Sequence, residues 1–176
     1  MNHLYTLLVS IITISLLSGS EVEDITSYTS IEREKIIDYP GDMDLYRQVV
    51  FFNLDGRKER LYEFNGLGNG NPSSDIRRAF SLGDIKVLII NEGFSGAVMG
   101  SSPTHLVVVR RDVLAERIKF PHYLLVKKLM LSDGSVSKSN DVREGDISKS
   151  TINDKLELVI PEDLESKKIR YIKLLE

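Results

Sequence analysis

Two histidines, His105 and His122, could carry acid–base or zinc chemistry, because an imidazole titrates near neutral pH and ligates zinc. Neither has a second metal-ligating residue at the short spacing of a zinc motif. His105 opens an apolar run, a position typical of a structural histidine, whereas His122 follows a proline at the entrance of a second run. A site built from both histidines and a carboxylate stays open as one alternative.

Ser95 lies in the sequence Gly-Phe-Ser-Gly-Ala, which invites comparison with serine nucleophiles. The nucleophile elbow of α/β-hydrolases needs a glycine two positions after the serine, and here that position is Ala97. The segment also resembles the G-x-S-G stretch of trypsin-like proteases. Those enzymes place their histidine before the serine, and between Glu21 and Ser95 there is none. The segment is therefore predicted to be a glycine-rich turn, with an envelope hydrolase as the alternative.

Asn53, Asp55 and Glu59 stand at spacings that resemble part of the D-x-D-G-D-G turns of calcium-binding repeat domains. When Asp55 is aligned with the fifth position of such a loop, the first and twelfth positions are Phe51 and Tyr62. Both should carry carboxylates, since a hard cation needs about six oxygen ligands. We therefore predict a hairpin turn at these residues and no metal or other cofactor.

Four cations, Arg110, Arg111, Lys127 and Lys128, make the middle of the chain locally basic. If the strands that carry them are neighbours, they could form one patch for a protein or an anionic envelope polymer; a solvated, ion-paired face is the alternative. The whole chain has 23 basic and 26 acidic residues in 176. This balance gives no electrostatic footprint for nucleic acid.

The first twenty residues contain no Asp, Glu, Lys or Arg. Their apolar core, residues 4–17, is about 14 residues long, which matches a signal peptide and is shorter than the roughly 20 residues of a membrane span. Small residues precede Glu21, where we expect cleavage. The prediction is a signal peptide at 1–20, one exported domain at 21–176 and no stable membrane span after cleavage. The chain has no cysteine, and a bacterial periplasm or secretion fits better than a eukaryotic route.

The elements that must position these residues are mostly strands. Asp55-Gly56 separates two strand-like runs at 47–54 and 57–64, the pattern of a tight hairpin whose two turn residues take positive φ. Residues 86–91 and 104–110 have the continuous apolar character of strands buried on both faces. Further strands are expected at 123–131, 156–160 and 169–174.

Helices are predicted at 74–80 and 112–119, where a capping residue precedes a short mixed run. Residues 25–38 fit a strand and a helix equally poorly. Residues 132–155 form one long polar stretch, predicted to be a loop that is either solvated or functional. The expected fold is a β-dominated α+β domain with an antiparallel sheet of about six strands, packed as a sandwich or half-barrel.

The function predicted from these patterns is a small exported binding protein without chemistry of its own: an inhibitor, an immunity-type protector or an envelope accessory factor. A structural component of a surface organelle and an envelope hydrolase are the alternatives. A hydrolase requires Ser95, His105 or His122 to converge with a carboxylate. An assembly component should expose an unpaired, apolar edge strand. A binder should present its loops, 65–72, 92–103 or 132–155.

Overall fold

The described part of the chain forms eleven β-strands and one short 3₁₀ turn at Thr26–Tyr28. A computed structural model describes residues 21–37, 45–67, 74–92, 103–112, 123–132, 147–161 and 168–176. The strands are β1 (Glu23–Asp24), β2 (Thr29–Ile37), β3 (Leu45–Leu54), β4 (Arg57–Leu67), β5 (Asp75–Leu82), β6 (Ile85–Asn91), β7 (Thr104–Arg111), β8 (Tyr123–Ser132), β9 (Thr151–Ile152), β10 (Glu157–Ile160) and β11 (Arg170–Lys173). The β-dominated, antiparallel single domain predicted from the sequence is confirmed.

These strands make three sheets, and all their pairings are antiparallel. The central sheet has five strands in the order β1-β5-β6-β7-β8. An N-terminal sheet has the order β2-β3-β4, and a C-terminal sheet has the order β11-β10-β9. Most neighbours in space are also neighbours along the chain, which is the simplest way to connect antiparallel strands.

The central sheet is buried on both faces because its middle strands carry apolar side chains at consecutive positions. In β6, Val87 and Ile89 pack into one apolar cluster, while Leu88 and Ile90 pack into another. Successive side chains of a strand point to opposite faces, so two clusters require two covering layers. The prediction that residues 86–91 and 104–110 are strands buried on both faces is confirmed.

The two smaller sheets supply those layers. Val50 and Leu61 of the N-terminal sheet pack against one face of the central sheet. Leu158 and Ile172 of the C-terminal sheet pack against the other face, together with Ile147. The domain therefore has three β-layers, one more than a simple sandwich.

The predicted hairpin at Asp55-Gly56 is confirmed. Both turn residues have positive φ, 51° for Asp55 and 73° for Gly56, as a two-residue hairpin of this type requires. The strands on either side of the turn are β3 and β4, paired from Leu54 and Arg57 outward.

The predicted helix at 74–80 is wrong, because these residues belong to β5. Ala79 and Phe80 enter opposite apolar clusters, which is the period of a strand. A tight turn with φ of 61° at Gly83 then joins β5 to β6. Of the ambiguous residues 25–38, Thr26–Tyr28 form the 3₁₀ turn and Thr29–Ile37 form β2.

Several predicted features fall wholly or partly outside the described residues. These are the leader at 1–20, the helix at 112–119 beyond Asp112, and most of the glycine-rich connections. Of the polar stretch 132–155, residues 133–146 are also outside. Its last part is structured, since Ile147 is buried and β9 pairs with β10.

Candidate functional site

His105 lies on β7, on the face of the central sheet that the N-terminal sheet covers. Its cross-strand neighbours are Ile90 on β6 and Met130 on β8. The ring is largely buried, and its Nδ1 lies 3.3 Å from the Oε2 atom of Glu92. No hydrogen bond joins these two atoms, so the contact becomes an ion pair only when His105 is protonated. Ser95 and His122, the other two candidates for chemistry, lie outside the described residues.

Glu92 connects three strands through one buried carboxylate. Its backbone follows β6 and donates an N–H to the carbonyl of Pro103 at 2.8 Å, which fixes the start of the glycine-rich connection. Its Oε1 accepts a hydrogen bond of 2.8 Å from Lys128 Nζ on β8. The same ammonium lies 5.7 Å from the ring centroid of Tyr62 on β4. We call Glu92, His105, Lys128 and Tyr62 the Glu92 cluster.

The charges in the Glu92 cluster are set by burial and by this carboxylate. Burial lowers the pKa of His105, the neighbouring Glu92 opposes that shift, and Lys128 adds to it, so the net pKa lies below the usual value of 6.5. Burial also lowers the pKa of Lys128, but the hydrogen bond to Glu92 and the interaction with Tyr62 outweigh it and raise the pKa overall. The cluster at neutral pH is therefore a lysine–glutamate pair beside a neutral histidine.

The lowered pKa of His105 predicts an acid-sensitive fold. The unfolded chain binds the histidine proton more readily than the folded chain, so stability is complete above about pH 6.5 and falls as the pH drops through that value. His105→Gln should remove this loss. Urea unfolding at about pH 7.5 and about pH 5.5 measures it, with His122→Gln as the control variant. Equal losses in the wild type and in His105→Gln would contradict the assignment.

The four cations Arg110, Arg111, Lys127 and Lys128 lie on neighbouring strands but on two different faces of the central sheet. β7 and β8 are neighbours, as the patch hypothesis requires, and Arg110 pairs in register with Leu124 while Arg111 pairs with Tyr123. Consecutive strand residues face opposite ways, so Arg110 and Lys127 share one face, and Arg111 and Lys128 share the other. The structure therefore places two cations on each face of the sheet.

Asn53, Asp55 and Glu59 do not converge. The Asn53 amide donates to Ser30 Oγ at 3.0 Å, whereas Glu59 accepts a hydrogen bond of 2.9 Å from the Tyr123 hydroxyl. Glu59 lies in register with Phe52, and Asn53 is the next residue along β3, so the two side chains are on opposite faces of the hairpin. Across the described ranges, no three His, Asp or Glu side chains are grouped as a metal site.

β8 exposes more large apolar side chains than any other described strand, a feature not predicted from the sequence. β8 is ten residues long and has only β7 as a paired neighbour among the described strands. Four of its large apolar side chains are exposed: Leu124, Leu125, Val126 and Met130.

Comparison with protein-family models, curated proteins and solved structures found no match for this chain.

The exposed edge and the Glu92 cluster are parts of one region. Lys128 belongs to β8, and its ammonium is drawn inward to Glu92 and away from the outer edge of the strand. Lys127 is also engaged, because its Nζ donates to the carbonyl of Lys173 at 2.9 Å. The two lysines of β8, which could oppose strand pairing at this edge, therefore both donate hydrogen bonds within the chain.

In the described ranges, no helix has the length and apolar character needed to cross a bilayer.

Proposed function

We propose that this chain is an exported binding protein that takes an extended segment of a partner polypeptide as an added strand along β8. One observation carries the proposal: a ten-residue strand at the edge of the central sheet exposes Leu124, Leu125, Val126 and Met130. The export part rests on the uncharged leader at 1–20.

An edge strand offers two sources of affinity to such a segment. The backbone N–H and C=O groups on its outer side can pair with the incoming strand, and the apolar side chains at the edge can be covered by side chains of that strand. Burying apolar surface contributes roughly 25 cal/mol per Å² before the cost of ordering the segment. An edge of this length and apolar character is therefore suited to hold a short peptide segment.

The other edges of the three sheets are less suited. β1 and β9 have two residues each and β11 has four, too few for a stable added strand. β2 and β4 are long, but their exposed side chains form ion pairs across the N-terminal sheet, including Lys58 with Glu32 and Arg60 with Glu34. Charged edges of this kind oppose pairing with a further strand.

The exposed edge also favours a second candidate function, an assembly component that polymerises through its own edges. Charge argues against β8 pairing with β8 of a second copy. In a two-fold antiparallel pairing centred on position 127, which overlaps residues 123–131 of both copies, Lys127 of one copy stands opposite Lys127 of the other. Like charges directly opposite each other across two strands are destabilising. The pairing of β8 with a different polypeptide is therefore the better supported function.

The test selects, from a phage-displayed library of random linear peptides, those that bind the mature domain, which is residues 21–176 without the leader. Peptides enriched on the wild type should lose at least tenfold in affinity for the double variant Leu124→Lys/Leu125→Lys, because edge lysines oppose strand addition. The double variant Tyr28→Lys/Leu54→Lys is the control. Its residues are 45% and 44% exposed, but they lie in the 3₁₀ turn and at the end of β3.

Two results would contradict strand addition at β8. One is that no peptide is enriched on the wild type. The other is that the enriched peptides bind the Leu124→Lys/Leu125→Lys variant as well as they bind the wild type, or lose as much affinity for the control variant. Self-association of the mature domain that the same edge variant abolishes would favour the assembly component instead.

A further inference from the structure

Two cations lie along β8 on the side of the C-terminal sheet, and neither is paired with a carboxylate in the described chain. Lys127 Nζ donates to the carbonyl of Lys173 at 2.9 Å. Arg170 Nη1 donates to the carbonyl of Leu131 at 3.5 Å. Their partners among the described residues are neutral carbonyls, so no carboxylate of the described ranges compensates either positive charge. A carboxylate would be a stronger partner for either group.

The register of β8 puts these two cations on one face. Lys127 stands opposite Val108, and Leu129 stands opposite Leu106. Val108, Leu106 and Leu131 belong to the apolar cluster on the side of the C-terminal sheet, and Leu129 packs against it. Positions 127, 129 and 131 therefore share this face, and Arg170 reaches the backbone at 131. The distance along the strand from 127 to 131 is about 13 Å.

The opposite face of β8 has a different character. Lys128 is on that face, but its charge is compensated by the buried carboxylate of Glu92 at 2.8 Å. Leu125 stands opposite Val109 and Met130 opposite His105, so both exposed side chains also belong to this face. An incoming strand would meet an apolar surface here. On the other side it would meet Leu124, which stands opposite Arg110, and positive charge that no described carboxylate compensates.

We infer that the segment bound at β8 is an acidic one: a strand with apolar side chains on one face and two carboxylates four residues apart on the other, opposite Lys127 and beside Arg170. This inference rests on the proposed function, since it names the class of polypeptide that strand addition would select. Four residues is an even separation, so both carboxylates lie on the same face of an extended segment. Each would replace a carbonyl contact with a charge-assisted hydrogen bond.

The experiment uses three synthetic nine-residue peptides with the mature wild-type domain. All three have valine or isoleucine at the even positions and threonine at the first, fifth and ninth. The third and seventh positions are glutamate in one peptide, glutamine in the second and lysine in the third. The glutamate peptide should bind about tenfold more tightly than the lysine peptide, and its advantage should shrink as salt is raised, because exposed charges are screened.

Charge-reversal variants then locate the effect. In Lys127→Glu and in Arg170→Glu the preference for the glutamate peptide over the lysine peptide should fall. In the double variant the lysine peptide should bind more tightly than the glutamate peptide. Lys155→Glu is the control, because Lys155 is an exposed cation on the turn between β9 and β10 and should leave the preference unchanged.

The outcomes separate this inference from the function on which it rests. If the three peptides bind equally and Leu124→Lys/Leu125→Lys abolishes binding of all of them, the acidic class is wrong and strand addition stands. The same holds if the glutamate preference survives in the Lys127→Glu/Arg170→Glu variant. If none of the peptides binds the wild type, or if the edge variant binds them as well as the wild type does, strand addition at β8 is itself contradicted.

Discussion

Leu88→Ala and Ile89→Ala should each lower the free energy of unfolding by about 3 kcal/mol, although the two residues are consecutive in β6. Both side chains are fully buried, Leu88 in the cluster under the N-terminal sheet and Ile89 in the cluster under the C-terminal sheet. Truncating a buried leucine or isoleucine to alanine costs about 2–5 kcal/mol, because it removes apolar contacts and leaves a cavity. In a sheet covered on one side, one of the two would face solvent and cost little.

Urea unfolding of the two variants, with a common slope against denaturant, measures these losses. Leu124→Ala and Leu125→Ala are the matched controls, since they are also consecutive in one strand of the central sheet but are more than half exposed. We expect each control to cost less than about 1 kcal/mol. A cost below about 1 kcal/mol for either Leu88→Ala or Ile89→Ala would mean that one of the covering layers is absent.

The strands whose character is contained in a short window could be predicted from the sequence. The runs at 86–91 and 104–110 are continuously apolar, and a strand needs that composition when both of its faces are buried. The hairpin at Asp55-Gly56 could also be predicted from the sequence, because only a few residue pairs tolerate positive φ at two successive positions. In both cases the local preference and the final fold agree.

β5 could not be predicted in this way because its structure depends on distant residues. Arg78 pairs with Asp24 at 2.9 Å and lies over the ring of Phe80. Ala79 exchanges hydrogen bonds with Thr26, 53 residues away in sequence. No window around 74–80 contains Asp24 or Thr26, and the mixed composition of the segment suits a short helix as well. Tertiary contacts override such weak preferences.

The candidate functional site could be predicted from the sequence only in part, for the same reason. His105 could be singled out by its residue type, but its partner Glu92 stands in a glycine-rich connection, and Lys128 is 36 residues beyond Glu92. The apolar run at 123–131 was correctly predicted to be a strand. Its place at the edge of the sheet follows from strand order, and the composition of the strand itself, apolar on both faces, resembles that of a central strand. That mismatch between composition and position supports the proposed addition of a strand at β8.

Removing the Glu92 carboxylate is expected to have the second-largest effect on stability. Glu92→Ala should lower the free energy of unfolding by about 2 kcal/mol, because it removes the buried acceptor of the Lys128 ammonium and the carboxylate beside the His105 ring. The full cost of breaking a buried pair does not apply, since the Lys128 side chain is about one-third exposed and can turn toward water. Glu92→Gln keeps the shape of the side chain and should cost less.

A double-mutant cycle of Glu92→Ala and Lys128→Ala isolates the contact, and we expect a coupling energy of about 1 kcal/mol. Lys58→Ala with Glu32→Ala, an exposed pair across the N-terminal sheet, is the control cycle and should show less coupling. A coupling energy near zero would mean that Glu92 does not hold Lys128. Each face of β8 would then carry a lysine without a carboxylate partner among the described residues, and the apolar face proposed for the bound segment would be lost. A peptide with carboxylates on both of its faces should then bind more tightly than one with carboxylates on a single face.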